Sequence, residues 1–301
     1  MAVNEATGQL GGMEQTLRPR RHWARRLWGV IRQNPLGFIG LLIILGLAAV
    51  AAFAPWIAPY DVGDFRSGTP REDPSWSHLF GTDQLGRDVF SRVVFGARIS
   101  MTVAFFAVIL GTGIAMVLGI VSGYLGGIVD TGIQRVVDTV IAFPQLLLLL
   151  ILAQVLGPSM QTVILAVGLG VIAPITRIVR GAVLSERNNQ YVEAARALGA
   201  PTVRILFVHI APNMAALAII IASTLFGVAI LAEASLSFLG LGIPIPNPSW
   251  GTDVSLARTA RPLHIWLALF PGLAITVTVL GFNLLGDALR DIFDTRLRGR
   301  L

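Results

Sequence analysis

The chain has 301 residues, 54% of them hydrophobic and only 13% charged, with a mean hydropathy of +0.72 and a formal net charge of +6. A soluble domain carries about 25% charged residues, so most of this surface suits lipid, and the length accommodates several spans of about 20 apolar residues each. Cysteine is absent and all 23 basic residues are arginine, which excludes disulfides, thiolate nucleophiles, lysine Schiff bases and the Gly-x-x-x-x-Gly-Lys-Ser/Thr phosphate loop.

The first 34 residues are polar and Arg-rich and lack a small-residue cleavage site after a short apolar core, unlike a removed signal peptide. Within them "RRHWARRLWGVIRQNP" sets Trp23, Leu27, Val30 and Ile31 on one helical face, the pattern of a helix lying on an anionic membrane surface; a solvated basic leader is the plainer reading. Apolar segments follow at about 36–58, 99–122, 136–156, 160–182, 207–235 and 264–288, predicting six spanning helices in an all-α membrane protein. Pro144, Pro174 and Pro212 lie inside these segments or at their edges, as membrane helices tolerate. Gly119, Gly123 and Gly127 form a small-residue stripe for close helix packing.

Six spans put both termini on one side. With the N-terminus inside, 16 arginines fall on the interior side and seven on the exterior, and arginine excess marks the cytoplasm. Both termini, and the region about 183–206, are therefore expected to be cytoplasmic. Outside these flanks no basic face interleaved with aromatics points to nucleic acid, and His22, His78, His209 and His264 lack metal-ligand spacing.

"YVEAARALGAPTVRILFVHIAPN" (191–213) interrupts this apolar pattern. Residues 190–198 have strong helix formers, Gly199 suits the position after a helix and Pro201 the first turn of the next. Two short helices with a tight bend are predicted, with Tyr191, Ala195 and Leu198 on one face and a Glu193–Arg196 pair at i, i+3. Antiparallel spans need only about 2–8 connecting residues, so the extra length favours a surface for a cytosolic partner over a plain connector. In "GTDQLGRDVFSR", Asp83/Arg87 and Asp88/Arg92 are acid-before-base pairs at i, i+4, expected to stabilise an exterior helix or to form a docking surface. Glu233 lies where the fifth span leaves the membrane and reads either as a gate or pore residue or as a cap of that exit.

Glu193-Ala194-Ala195, Gly199 and His209-Ile210-Ala211-Pro212 resemble the coupling motif of ABC-importer permeases, with Ala211 where leucine is usual and His209 at an isoleucine position. The stretches at 34–61, 80–100, 233–251 and 280–299 are similar to segments of the dipeptide, oligopeptide and nickel subgroup, permease C type, in the same order. This resemblance covers about 35–300, a permease domain of the type I ABC-importer fold behind the 1–34 segment. It implies a non-catalytic inner-membrane subunit that forms, with a second homologous permease, a path for peptides delivered by an extracytoplasmic binding protein. Two cytosolic ATPase subunits would hold the ATP and Mg, so this chain needs no cofactor. Glu193, Ala194, Ala195, Arg196, Leu198 and Gly199 would form the ATPase-coupling surface, and Asp83, Arg87, Asp88 and Arg92 a surface for the binding protein. Nickel, glutathione or sugar-linked cargo is the alternative within the class, and an ion-coupled secondary transporter the alternative outside it.

Overall fold

The computed structural model describes residues 34–298 except 65, 66, 261 and 263, with side chains to 293. The chain divides into a short unit, Met1–Pro35, and Leu36–Leu301, which holds the helical bundle. The amphipathic helix expected in the leader lies outside the described residues. Among the described residues the regular structure is helical, apart from a single antiparallel bridge between Thr82 and Asp88.

The helices, in chain order, are α1 (Pro35–Ala52), α2 (Ala54–Ile57), α3 (Val89–Leu125), α4 (Gly127–Ile141), α5 (Gln145–Leu156), α6 (Met160–Glu186), α7 (Gln190–Ala197), α8 (Thr202–Phe238), α9 (Trp250–Thr259) and α10 (Trp266–Arg298). Five (α1, α3, α6, α8 and α10) are long and apolar enough to cross a membrane, and α4 with α5 makes a sixth, broken candidate bent by 89°.

Packing follows from small residues. A Cβ on Gly111 would fall 2.6 Å from the Gly168 carbonyl oxygen, one on Gly119 2.6 Å from Val179, and one on Gly123 2.9 Å from Val183 and from the Arg180 carbonyl oxygen. Residue numbers therefore rise together along α3 and α6, so the two helices are parallel and in backbone contact. The third member of the expected stripe, Gly127, meets nothing and instead takes a φ of +55° at the break into α4. Gly37 and Gly40 seat α1 against Ala288 and Leu284 of α10. Gly227 of α8 faces Val279 and Asn283 of α10, which runs antiparallel to it.

Three expected boundaries change. The third span, expected as one helix over 136–156, is broken at Pro144, because the residue immediately before a proline is disfavoured in the α region. The second begins at Val89 rather than about 99: Asp88 caps it by accepting from the Ser91 amide, and Arg92, which depresses the apolar signal there, is neutralised by Asp253. The second short helix expected after Pro201 is the first turn of α8, continuous with the fifth span through a π-helical turn, Ile205–Ile210. That wide turn precedes Pro212, whose missing N–H and bulky ring a regular helix would not accommodate.

At the bundle end opposite α7, residues 59–64 and 67–88 form a cap together with α9. Trp250 of α9 is wholly buried; its indole lies over Gly96, where a Cβ would come within 3.0 Å, and its Nε1 donates to the Val93 carbonyl at 3.0 Å.

Candidate functional site

The polar interruption forms a separate short helix, α7, laid against the end of the bundle where α3 and α6 finish. Its close is a Schellman motif: the Gly199 amide donates to the Arg196 carbonyl at 2.9 Å and the Ala200 amide to the Ala195 carbonyl at 3.0 Å. Gly199 has a φ of +77°, the left-handed conformation this motif needs and glycine adopts without strain.

The inner face of α7 is Val192 and Ala195. They are buried with Val179 and Val183 of α6 and with Ile205, Ile210 and Met214 of α8. Val192 is fully enclosed, which contributes about 1.5–3 kcal/mol to holding α7 in place. Tyr191 ties three helices together. Its hydroxyl donates to the Glu186 carboxylate of α6 and accepts from Asn213 Nδ2 of α8 at 2.9 Å, while the same Nδ2 donates to the His209 carbonyl at 2.7 Å. Burial, and then the bond to Glu186, push the phenol up to about 12, so it stays a neutral donor in the physiological range. Arg196 does not form the expected pair with Glu193: its guanidinium lies 5.2 Å from the Tyr124 ring centroid, with Nε 3.3 Å from the phenol oxygen.

The outer face is left open. Glu193, Ala194, Arg196 and Gly199 are exposed. Leu198, expected to share a face with Ala195, is 88% exposed, and Val203 at 65% extends the same apolar surface. Ala194 adds little bulk beside the Glu193 carboxylate. Small, acidic and apolar elements thus stand together on a rigid base.

That base is braced by arginines. Arg180 of α6 holds Asp130 of α4 through two bonds of 2.5 Å, and the Ser122 hydroxyl donates to the same carboxylate at 2.5 Å. Arg177 pairs with Asp138, and Arg187 donates to the Gly123 carbonyl at 3.0 Å near the end of α3. Sequence reasoning missed Val192, Asn213 and Glu186, and it placed Tyr191 on a face of the helix without its partners. The spacing of Val192 and Ala195 was the available signal for the first; the others meet only through tertiary packing.

The second group lies in the cap, and its expected geometry needs correction. Asp83 and Arg87 do pair, at 2.6 Å, but in a buried turn rather than on a helix, where Asp83 also accepts the Leu85 and Arg87 amides at 2.8 and 3.0 Å. Asp88 and Arg92 do not pair. Asp88 is the helix cap and meets His78 Nδ1 at 3.0 Å, whereas Arg92 reaches Asp253 of α9, with Nε 2.9 Å from the carboxylate. A cap residue spends its carboxylate on its own first turn, leaving none for the residue four ahead. All four side chains are buried. Glu233 is also wholly buried, accepting from Ser100 of α3 at 3.0 Å and from Ser237 at 2.8 Å.

With this geometry in view, comparison with known proteins is decisive. Residues 115–299 match the model of the binding-protein-dependent transport system inner membrane component family, and residues 23–72 match the N-terminal TM domain of oligopeptide transport permease C. The chain belongs to this permease family. It is 39% identical to a dipeptide transport system permease protein of Alkalihalophilus pseudofirmus, over 91% of this chain and 90% of that one. It is 38% identical to the dipeptide transport system permease protein of Haemophilus influenzae, covering 91% and 95%. It is 40% identical to a glutathione transport system permease protein of Pectobacterium atrosepticum, covering 93% and 91%. This permease is thus a multi-pass inner-membrane component of ABC importers; α6, α7 and α8 lie wholly within the matched family region, and α3 enters it from Ala115 onward.

Proposed function

We propose that this chain is one of two permease subunits of a short-peptide importer, driven by ATPase subunits that grip it through α7. The observation that carries the reading is the two-sidedness of α7: an inner face locked to α3, α6 and α8, and an outer face that leaves Glu193, Ala194 and Leu198 free. Such a helix moves with the spans as one body, so displacement of its outer face by a closing ATPase dimer turns the bundle. Glu193 is the polar anchor, for a basic side chain of the ATPase; Ala194 permits close approach, and Gly199 sets the bend. In this reading α7 and both termini face the cytoplasm, in line with the arginine distribution, and the cap faces the binding protein. The chain itself hydrolyses nothing.

Dipeptides and glutathione, the cargoes named for the relatives, are both short peptides with charged ends. A short peptide is accordingly the cargo class, with glutathione as one candidate inside it.

The test is ATP-driven uptake of a labelled dipeptide and of glutathione by the assembled importer. Glu193→Lys is expected to abolish uptake of whichever cargo the wild type carries, at an unchanged membrane level. Full uptake by that variant would remove α7 from the coupling role. Uptake that stops on collapse of the ion gradients but persists without ATP would identify a secondary transporter instead.

A further inference from the structure

A groove of about 500 Å³ runs between α1, α3, α8 and α10, in the half of the bundle nearer the cap. Its lining is mostly apolar: Phe226 and Phe282 stack at 4.6 Å between centroids, Phe105 stands 6.3 Å from Phe226, Ala48 and Ile230 are among the other walls, and Thr102 is the one uncharged polar side chain. Phe105 and Phe106 are 48% and 52% exposed along one edge, so the groove opens on the flank of the bundle rather than at its ends.

One charged residue lines it, Arg98. Arg98 is exposed and sits at the end of the groove toward the cap, two residues beyond Gly96, where Trp250 of α9 makes its contact. Across the groove mouth α1 ends at Ala52 and is followed by Phe53 and Trp56, 52% and 79% exposed and 5.5 Å apart. Exposed aromatics at the end of a spanning helix mark the headgroup level. Arginine at that level thus stands above an apolar slot that descends toward the bilayer centre.

We propose that this groove holds an acyl chain of an anionic phospholipid whose phosphate pairs with Arg98. The lining supplies no acid for that guanidinium, so its counter-charge comes from outside the groove. A short peptide carries two opposite end charges and would meet only one partner here, whereas a phospholipid presents an anion at headgroup depth with a hydrocarbon chain beneath it. Basic residues near a membrane surface attract anionic lipid by this means. The proposal stands apart from the ATPase-coupling reading and from the identity of the cargo.

The experiment uses the full-length chain, purified with whatever subunits accompany it, in nanodiscs containing trace phosphatidylglycerol or phosphatidylethanolamine with a diazirine midway along one acyl chain. Photolabel is expected on peptides covering 44–52 and 98–106, about fivefold stronger from phosphatidylglycerol. Arg98→Gln, a change at an exposed position, should bring the two lipids to equal labelling, and Ala48→Trp should block both. Equal labelling of the wild type, a preference that survives Arg98→Gln, or no label on these peptides would overturn the proposal. The last result is what a second permease covering the groove would produce.

Discussion

Glu233 shows how much depends on a single side chain. It is an ionisable residue with no exposed surface, and it accepts from the hydroxyls of Ser100 and Ser237, with Ser249 alongside them. A buried polar group is tolerated when its hydrogen bonds are complete. Glu233→Gln retains an acceptor and a donor that these rotatable hydroxyls can satisfy, so it should shift stability by no more than about 1 kcal/mol. Glu233→Lys places an unpaired cation among the same partners and should cost about 3–5 kcal/mol. Thermal melting of the two variants in one detergent measures the contrast; equal melting would mean that Glu233 is reached by water. The sequence identified Glu233 as a residue of interest but not its partners, since Ser100 is 133 residues away in the chain.

At the scale of elements, the contact between α3 and α6 rests on glycines that bring backbone against side chain. A Cβ on Gly123 would stand 2.9 Å from Val183, while one on Gly113, ten residues earlier on the same helix, would meet nothing within 4 Å. Gly123→Val is therefore expected to lose about 1–3 kcal/mol through overpacking, and Gly113→Val to be close to neutral. Folded yield after detergent extraction distinguishes them, and an equal loss in both would point to helix propensity rather than packing. The spacing of Gly119 and Gly123 already suggested a packed face. It did not show that Gly127, next in the series, stands instead at the break where α4 begins, because a break is set by the local φ and not by a repeat.

Across the whole molecule, the cap is joined to the bundle by the buried pair of Arg92 and Asp253, 161 residues apart. Removing one partner strands the other charge, whereas replacing both with apolar groups does not. Asp253→Ala alone should cost about 3–5 kcal/mol, and Arg92→Met with Asp253→Leu should restore most of the loss. A double-mutant cycle on melting temperature checks this; additive losses would show that the two side chains act independently. If the cap is the surface that receives the binding protein, uptake should fall with the single change and recover with the double.

Periodicity and composition by themselves determined the membrane class, five of the spanning segments and the place of α7, because a run of apolar residues or a Gly-Ala-Pro break is a local property. They also ruled out an ATP-binding phosphate loop, since the required lysine is absent from the chain. Only the tertiary structure decided which charges meet. Asp88 turned from Arg92 to His78 and its own helix end, and Arg196 from Glu193 to Tyr124. An i, i+3 or i, i+4 spacing brings two groups within reach on a helix, but the partner each side chain takes is set by what packs beside it, which is the cap segment for Asp88 and α3 for Arg196. The same holds for α7: its sequence predicts a bent helix, and the enclosure of Val192 decides which face remains for a partner.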